Sequence, residues 1–235
     1  MFYTKINTHI IDFIIAGDET GIKYLGFDTE RGQNKLKISG EWIYNNNFFK
    51  TSIEEIQNFF LGKTTDFLTI LSPQGTEFQN KVWNALLTIP FAETRTYKEI
   101  ATQIGNDKAS RAVGMANNRN PISIIIPCHR VIGASGKLVG YAGGVDIKEK
   151  LLGFEKLIYT FNRLKESYNI KSSKIKTSFI VDDNTRIFFK RIGFSIPKKD
   201  KDFKDMIEGL LPPSFEFYQE YNDLINKYSK DPFKF

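Results

Sequence analysis

The sequence predicts an α/β protein of two consecutive domains followed by an ordered tail, and three observations predict it. Over the first ~70 residues, short apolar runs alternate with turn residues in the manner of strands. From Ser72 onward the periodicity becomes that of amphipathic helices, the first two opened by capping boxes. Residues 158–235 are rich in Phe and Tyr and so are not composed like a disordered linker. With 41% hydrophobic and 26% charged residues, the 235-residue chain has the composition of a soluble globular protein. No stretch approaches the ~20 apolar residues of a membrane span, so no membrane partner is expected.

In the first segment, expected as domain 1–71, turns fall at Gly17-Asp18-Glu19-Thr20-Gly21 and Arg31-Gly32-Gln33-Asn34. Ile53, Ile56, Gln57 and Phe60 then keep a helical period that Gly62 stops. No nucleophile or ligand cluster occurs here. His9, in an apolar run, reads as a structural histidine.

The second segment, expected as domain 72–157, opens with Thr76-Glu77-Phe78-Gln79, a capping box, and Phe78, Val82, Trp83, Leu86 and Leu87 follow on one helical stripe that Pro90 ends. Thr96-Tyr97-Lys98-Glu99 is a second capping box for a short helix through Ile100, Ala101 and Ile104. Gly105-Asn106-Asp107 makes a turn, and residues 108–116 read as another helix. Two short helices joined by such a turn form a helix-turn-helix pattern. On the second of them, Ala109, Ala112, Gly114 and Ala116 leave little bulk around Arg111. That spacing serves either close approach to a partner surface, with one cation projecting, or tight helix packing.

The only cysteine, Cys128, follows the β-branched run Ile122-Ser123-Ile124-Ile125-Ile126, which reads as a strand ended by Pro127, and it precedes His129. A thiol beside an imidazole can be a nucleophile with its base. A lone cysteine is equally a small buried hydrophobe, and neighbouring side chains on an extended chain point apart. With one Cys and two His the chain can form neither an internal disulfide nor an ordinary Cys/His zinc site, so it reads as intracellular, metal-free and without a cofactor. Its start, Met1-Phe2-Tyr3-Thr4-Lys5, lacks a secretory signal pattern, and a cytoplasmic location is expected.

Beyond the thiol, Gly133 to Lys137 and Gly140 to Gly144 form a loop dense in glycine, able to wrap a ligand. Val145 to Phe154 returns to helix with Ile147, Leu151 and Phe154 inward and Glu149 available to meet a histidine. In the tail, a strand is expected at Thr177 to Val181 and helices at Thr185 to Ile192, Phe203 to Leu210 and Phe215 to Tyr228. The net charge of +6 favours a polyanionic partner. Most of the excess lies in the tail, which carries 15 Lys+Arg against 11 Asp+Glu, while residues 1–157 carry 18 against 16. The tail reads as a DNA-contacting extension, a protein-interaction module or stabilising packing.

These motifs occur in one order: Thr76-Glu77-Phe78-Gln79, Val82-Trp83, Ala85-Leu86, Ile89-Pro90, Thr94-Arg95-Thr96-Tyr97, Arg111-Ala112-Val113-Gly114, Asn120-Pro121, Pro127-Cys128-His129-Arg130-Val131, Gly140-Tyr141 and Gly143-Gly144. From about Thr76 to Glu155 the chain closely resembles the O6-alkylguanine-DNA alkyltransferases, or methylated-DNA–protein-cysteine methyltransferases, and its N-terminal region is also similar to that family's first domain. The resemblance implies a ribonuclease-H-like α/β domain, then a mostly helical helix-turn-helix domain, with an α+β extension of unknown fold and role after residue 157.

It further implies a monomer that flips O6-alkylguanine out of double-stranded DNA and takes the alkyl group irreversibly onto Cys128, acting once, with O4-alkylthymine as another possible substrate. His129 would draw the thiol proton, Glu149 would orient the imidazole, and Tyr97 would protonate the leaving base. Arg111 would fill the vacated stack, with Ser110, Ala112, Asn120 and Thr96 completing the DNA-binding set. Pro127, Val131, Tyr141 and Ala142 would line the base pocket. The other implied reading is a catalytically silent, damage-binding relative, but such relatives lack the cysteine that this chain has.

Overall fold

In the computed structural model, which describes residues 1–28, 36, 38–168, 181–211 and 215–230, the chain opens with strand β1 (Phe2–Ile6). β1 pairs antiparallel with β2 (Phe13–Asp18), which turns at Glu19-Thr20 into antiparallel β3 (Gly21–Phe27). A short β4 (Ile43–Tyr44) adds parallel to β1, giving the order β3-β2-β1-β4. Helix α1 (Lys50–Phe60) lays Phe60 against Phe13, ring centroids 5.6 Å apart, and ends at Gly62, whose φ of 65° suits glycine. His9 falls in the bend between β1 and β2 with its ring edge-on to Phe60, as a structural histidine would. The expected turn at Arg31 to Asn34 lies outside the described residues.

The free edge of β3 joins this layer to the helices that follow. Ile22 bonds Ile70 and Ser72 through backbone contacts of 2.9 and 2.7 Å, while Leu25 bonds Pro121 and Ser123 at 2.9 and 2.7 Å. The chain forms two compact units, Met1–Leu152 and Gly153–Phe235. An unpaired strand edge must be satisfied, and here the segments leading to α2 and to Cys128 satisfy it.

Both capping boxes form as the sequence predicts, on α2 (Glu77–Leu86) and α3 (Tyr97–Gln103). Helix α4 (Ser110–Asn118) completes the helix-turn-helix after Gly105, which has a φ of 76°. Trp83 of α2 is 2% exposed and donates its indole N–H to the Ala116 carbonyl at 3.0 Å, fixing α4 against α2. The two-residue strands β5 (Arg95–Thr96) and β6 (Val131–Ile132) pair in parallel, and helix α5 (Val145–Tyr168) follows the glycine-dense loop. As expected, Ile147, Leu151 and Phe154 of α5 are buried. The helix runs past its expected end because the apolar stripe continues through Ile158, Phe161 and Leu164.

The second unit adds α6 (Asp183–Arg191), capped by the Asp182 side chain, then α7 (Asp200–Glu208) and α8 (Phe215–Lys230). Its core is aromatic: Phe188 meets Phe161 and Phe189 at 5.5 and 5.3 Å, and Phe189 meets Phe203 at 5.4 Å. The three helices occupy the expected segments. The expected strand at Thr177 to Val181 lies outside the described residues except for Val181, which is not a strand residue. Among the described residues the extension is helical.

Candidate active site

Two local devices bring the sequence-predicted residues together. The β5–β6 pair places Thr96 opposite Ile132, so α3 opens at Tyr97 beside the backbone that leaves Cys128. The second device is Asn120, 5% exposed. Its Oδ1 accepts from the Ile122 N–H at 3.0 Å, and its Nδ2 donates to the Ile126 carbonyl at 2.8 Å and the Ile122 carbonyl at 3.3 Å.

That clamp corrects the expected strand at Ile122 to Ile126. Only Ile122 bridges Leu25; beyond it the run closes on itself, Ile126 N–H to Ile122 carbonyl at 3.0 Å, with Ile124 at a φ of 69°. A β-branched residue in the left-handed region costs about 1–3 kcal/mol and persists only where its surroundings over-determine it. Here they do, because Ile122, Ile124 and Ile126 are all buried and Asn120 ties both ends of the turn. A single 3-10 turn, Cys128–Arg130, comes next. Arg130, also buried, donates to the Ile89 carbonyl at 2.7 Å and lies over the Phe91 ring, holding the far side of that turn.

Cys128 is 3% exposed and His129 is fully buried. Burial pushes the Cys128 thiol up from its ordinary value, against opposing pulls from Asn120, the Lys148 charge and Tyr141. Lys148 is a residue that the sequence reading passed over. It is fully buried, and its Nζ donates to the Val131 carbonyl at 2.5 Å and the Val139 carbonyl at 3.3 Å while lying 5.7 Å from the Tyr141 ring centroid. Burial lowers its pKa to about 8, with the Cys128 charge acting the other way. The Tyr97 hydroxyl donates to the same Val139 carbonyl at 3.2 Å, and burial, followed by the Cys128 charge, raises its pKa so that it keeps its proton.

Glu149 is corrected by its surface position. It is exposed, on the side of α5 away from Ile147 and Leu151, whereas the imidazole it was expected to orient is fully buried. The buried acid of α5 is Glu155. Lys148 and Glu155 stand seven residues apart on the buried stripe of the helix, and a charge on an apolar stripe is the signal that would have found both.

Of the DNA-binding set, Arg111 and Ala112 are exposed on α4 and Ser110 is half-buried. The Thr96 hydroxyl is spent on its cap, accepting from the Glu99 N–H at 3.2 Å. Asn120 is buried with its amide committed to backbone, so it positions the Cys128 turn rather than touching a partner. Pro127 and Val131 are buried, and Tyr141 and Ala142 are half-buried. Gly143 packs so closely on Phe27 that a Cβ would fall 2.7 Å from its ring, which seats the glycine-dense loop on β3.

Residues 1–73 match the ribonuclease-like domain of 6-O-methylguanine DNA methyltransferase, and residues 77–157 match its DNA-binding domain. The methylated-DNA–protein-cysteine methyltransferase of Methanosarcina acetivorans is 54% identical over 155 residues, which are 66% of this chain and 98% of that protein. The chain belongs to this family. A relative of the same name in Mycobacterium leprae is 55% identical over 115 residues, 49% of this chain and 70% of that one. The crystal structure of Mycobacterium tuberculosis OGT in complex with DNA aligns with a TM-score of 0.62 at 44% identity, covering 67% of this chain and 94% of that one. The family's activity is direct-reversal repair, in which an alkyl group passes from DNA to a cysteine of the protein itself. No helix among the described residues is long and apolar enough to cross a membrane.

Proposed function

We propose that Cys128 is the acceptor and that O6-alkylguanine in double-stranded DNA is the donor. One observation carries the assignment: the chain has a single cysteine, and it stands buried on the Asn120-clamped turn, followed in the chain by His129 and within electrostatic reach of the Lys148 ammonium. Displacement at an alkyl carbon wants a soft thiolate, and the resting thiol is held neutral by burial. His129 takes the thiol proton, through one water, and the Lys148 cation stabilises the sulfur charge that results.

The thiolate attacks the alkyl carbon, a C–S bond forms, and the bond from carbon to guanine O6 breaks. Guanine is a poor leaving anion, so Tyr97 gives its proton to the base as that bond opens. The thioether is not reversed, and each molecule acts once. Arg111 leads the DNA contact from the exposed face of α4, where Ala112 lets the backbone come close to the minor groove and the guanidinium fills the space of the extruded base. All these groups come from one chain, so the reading takes the protein as a monomer, acting in the cytoplasm with no cofactor or metal. O4-alkylthymine would be a second substrate.

Mixing the protein with excess O6-methylguanine duplex tests the reading. One methyl group should be removed per protein molecule, after which the reaction stops. Continued turnover, or no removal alongside tight binding of the duplex, would overturn it.

A further inference from the structure

Asn117, near the end of α4, is 2% exposed, yet among the described residues neither its Oδ1 nor its Nδ2 has a hydrogen-bond partner. Buried carboxamides are nearly always satisfied, so an orphan donor and an orphan acceptor on one side chain require an explanation. The position on the helix supplies a direction. At ~100° per residue, Asn117 lies between the core-facing Val113 and Gly114. Gly114 looks onto the Tyr97 ring, with its Cβ position 3.7 Å from ring carbons, while the Ala116 carbonyl on the other flank binds Trp83. The Asn117 carbonyl also accepts the Asn120 N–H at 3.3 Å, placing Asn117 where α4 passes into the turn that holds Cys128. Asn117 therefore stands on the buried side of α4, flanked on the helix by the Gly114 that faces Tyr97, and its own carbonyl is tied to the segment that leads to Cys128.

We propose that Asn117 is a specificity-determining residue that reads the edge of the flipped base, a proposal that rests on the base-flipping reading above. Alkylation at O6 removes the proton from N1 of guanine, leaving a bare acceptor next to the N2 amino donor. A carboxamide with one free donor and one free acceptor matches that edge twice, with Nδ2 donating to N1 and Oδ1 accepting from the N2 amino group. Unmodified guanine presents two donors there, and O4-alkylthymine presents two acceptors. Each can make only one of the two bonds, and a site built for two rejects a ligand that leaves a buried group unpaired.

The test compares single-turnover methyl transfer by wild type and Asn117→Leu, a change of similar volume, on duplexes carrying O6-methylguanine or O6-methylhypoxanthine, which lacks the N2 amino group. Wild type should prefer O6-methylguanine by roughly tenfold or more, and the variant should lose most of that preference while its melting temperature is maintained or raised. An unchanged preference in the folded variant would overturn the proposal, as would a wild type that treats both bases alike. Failure of wild type to react with O6-methylguanine at all would instead count against the base-flipping reading, so the two failures are distinguishable. Asn117→Asp is the second variant: its carboxylate keeps the acceptor and loses the donor to N1, so it should react more slowly with O6-methylguanine yet still favour the base that has the amino group.

Discussion

The turn that carries Cys128 and the exposed face of α4 lie a few residues apart in sequence and are built on opposite principles. In the turn nearly every group is committed: Asn120 spends its amide on backbone, Arg130 holds the Ile89 carbonyl, Lys148 ties Val131 to Val139, and Ile124 is kept in a left-handed conformation. On α4, Arg111, Ala112 and Met115 are exposed and lean on little. The difference separates chemistry, which needs a fixed geometry, from DNA reading, which needs accessible charge and low bulk.

Breaking the committed side should have the largest effect. Asn120→Ala leaves buried backbone groups without partners, at about 1–3 kcal/mol each, and lets Ile124 relax from its strained conformation. Methyl transfer should fall at least a hundredfold, with the unfolding midpoint in urea lowered and duplex affinity changed little. Equal losses of rate and affinity would show that turn and helix are not separable.

Lys148→Met should come next. The ammonium is charged below its pKa of about 8 and there favours the thiolate, so its removal must raise the Cys128 pKa further. Each unit of that rise costs about tenfold in thiolate at neutral pH. The pH dependence of iodoacetamide labelling reads it directly, and the profile should move to higher pH. A profile that does not move would remove Lys148 from the account.

On the accessible side, Arg111→Ala should reduce the salt slope of duplex binding by about 1 and slow repair of duplex DNA, while reaction with free O6-benzylguanine is unchanged. Equal slowing on both substrates would place Arg111 in the chemistry. Smallest of all is Glu149→Gln, expected to leave the transfer rate unchanged. A tenfold loss would restore Glu149 as the partner of His129.

What the sequence made legible follows the same division. Capping boxes are local side-chain–backbone patterns, so Thr76-Gln79 and Thr96-Glu99 could be read directly, and α2 and α3 with them. The isoleucine run could not, since β-branched residues favour strands and only the tertiary clamp from Asn120 forces a turn. The resemblance implies Glu149 as the partner of His129. The period of α5 puts Lys148 and Glu155, not Glu149, among the buried positions. The aromatic tail was legible as ordered helices because its core lies in Phe and Tyr spacing, whereas no residue type there carries a chemistry to read.

The account stands on Cys128 as the atom that receives the alkyl group. Peptide mapping by mass spectrometry after one turnover with an O6-methylguanine duplex tests it most directly. The peptide containing Cys128 should be heavier by one methylene group in every protein molecule that has reacted, and in no other peptide should the mass change. An unmodified Cys128 peptide, with the lesion nonetheless removed from the DNA, would contradict it.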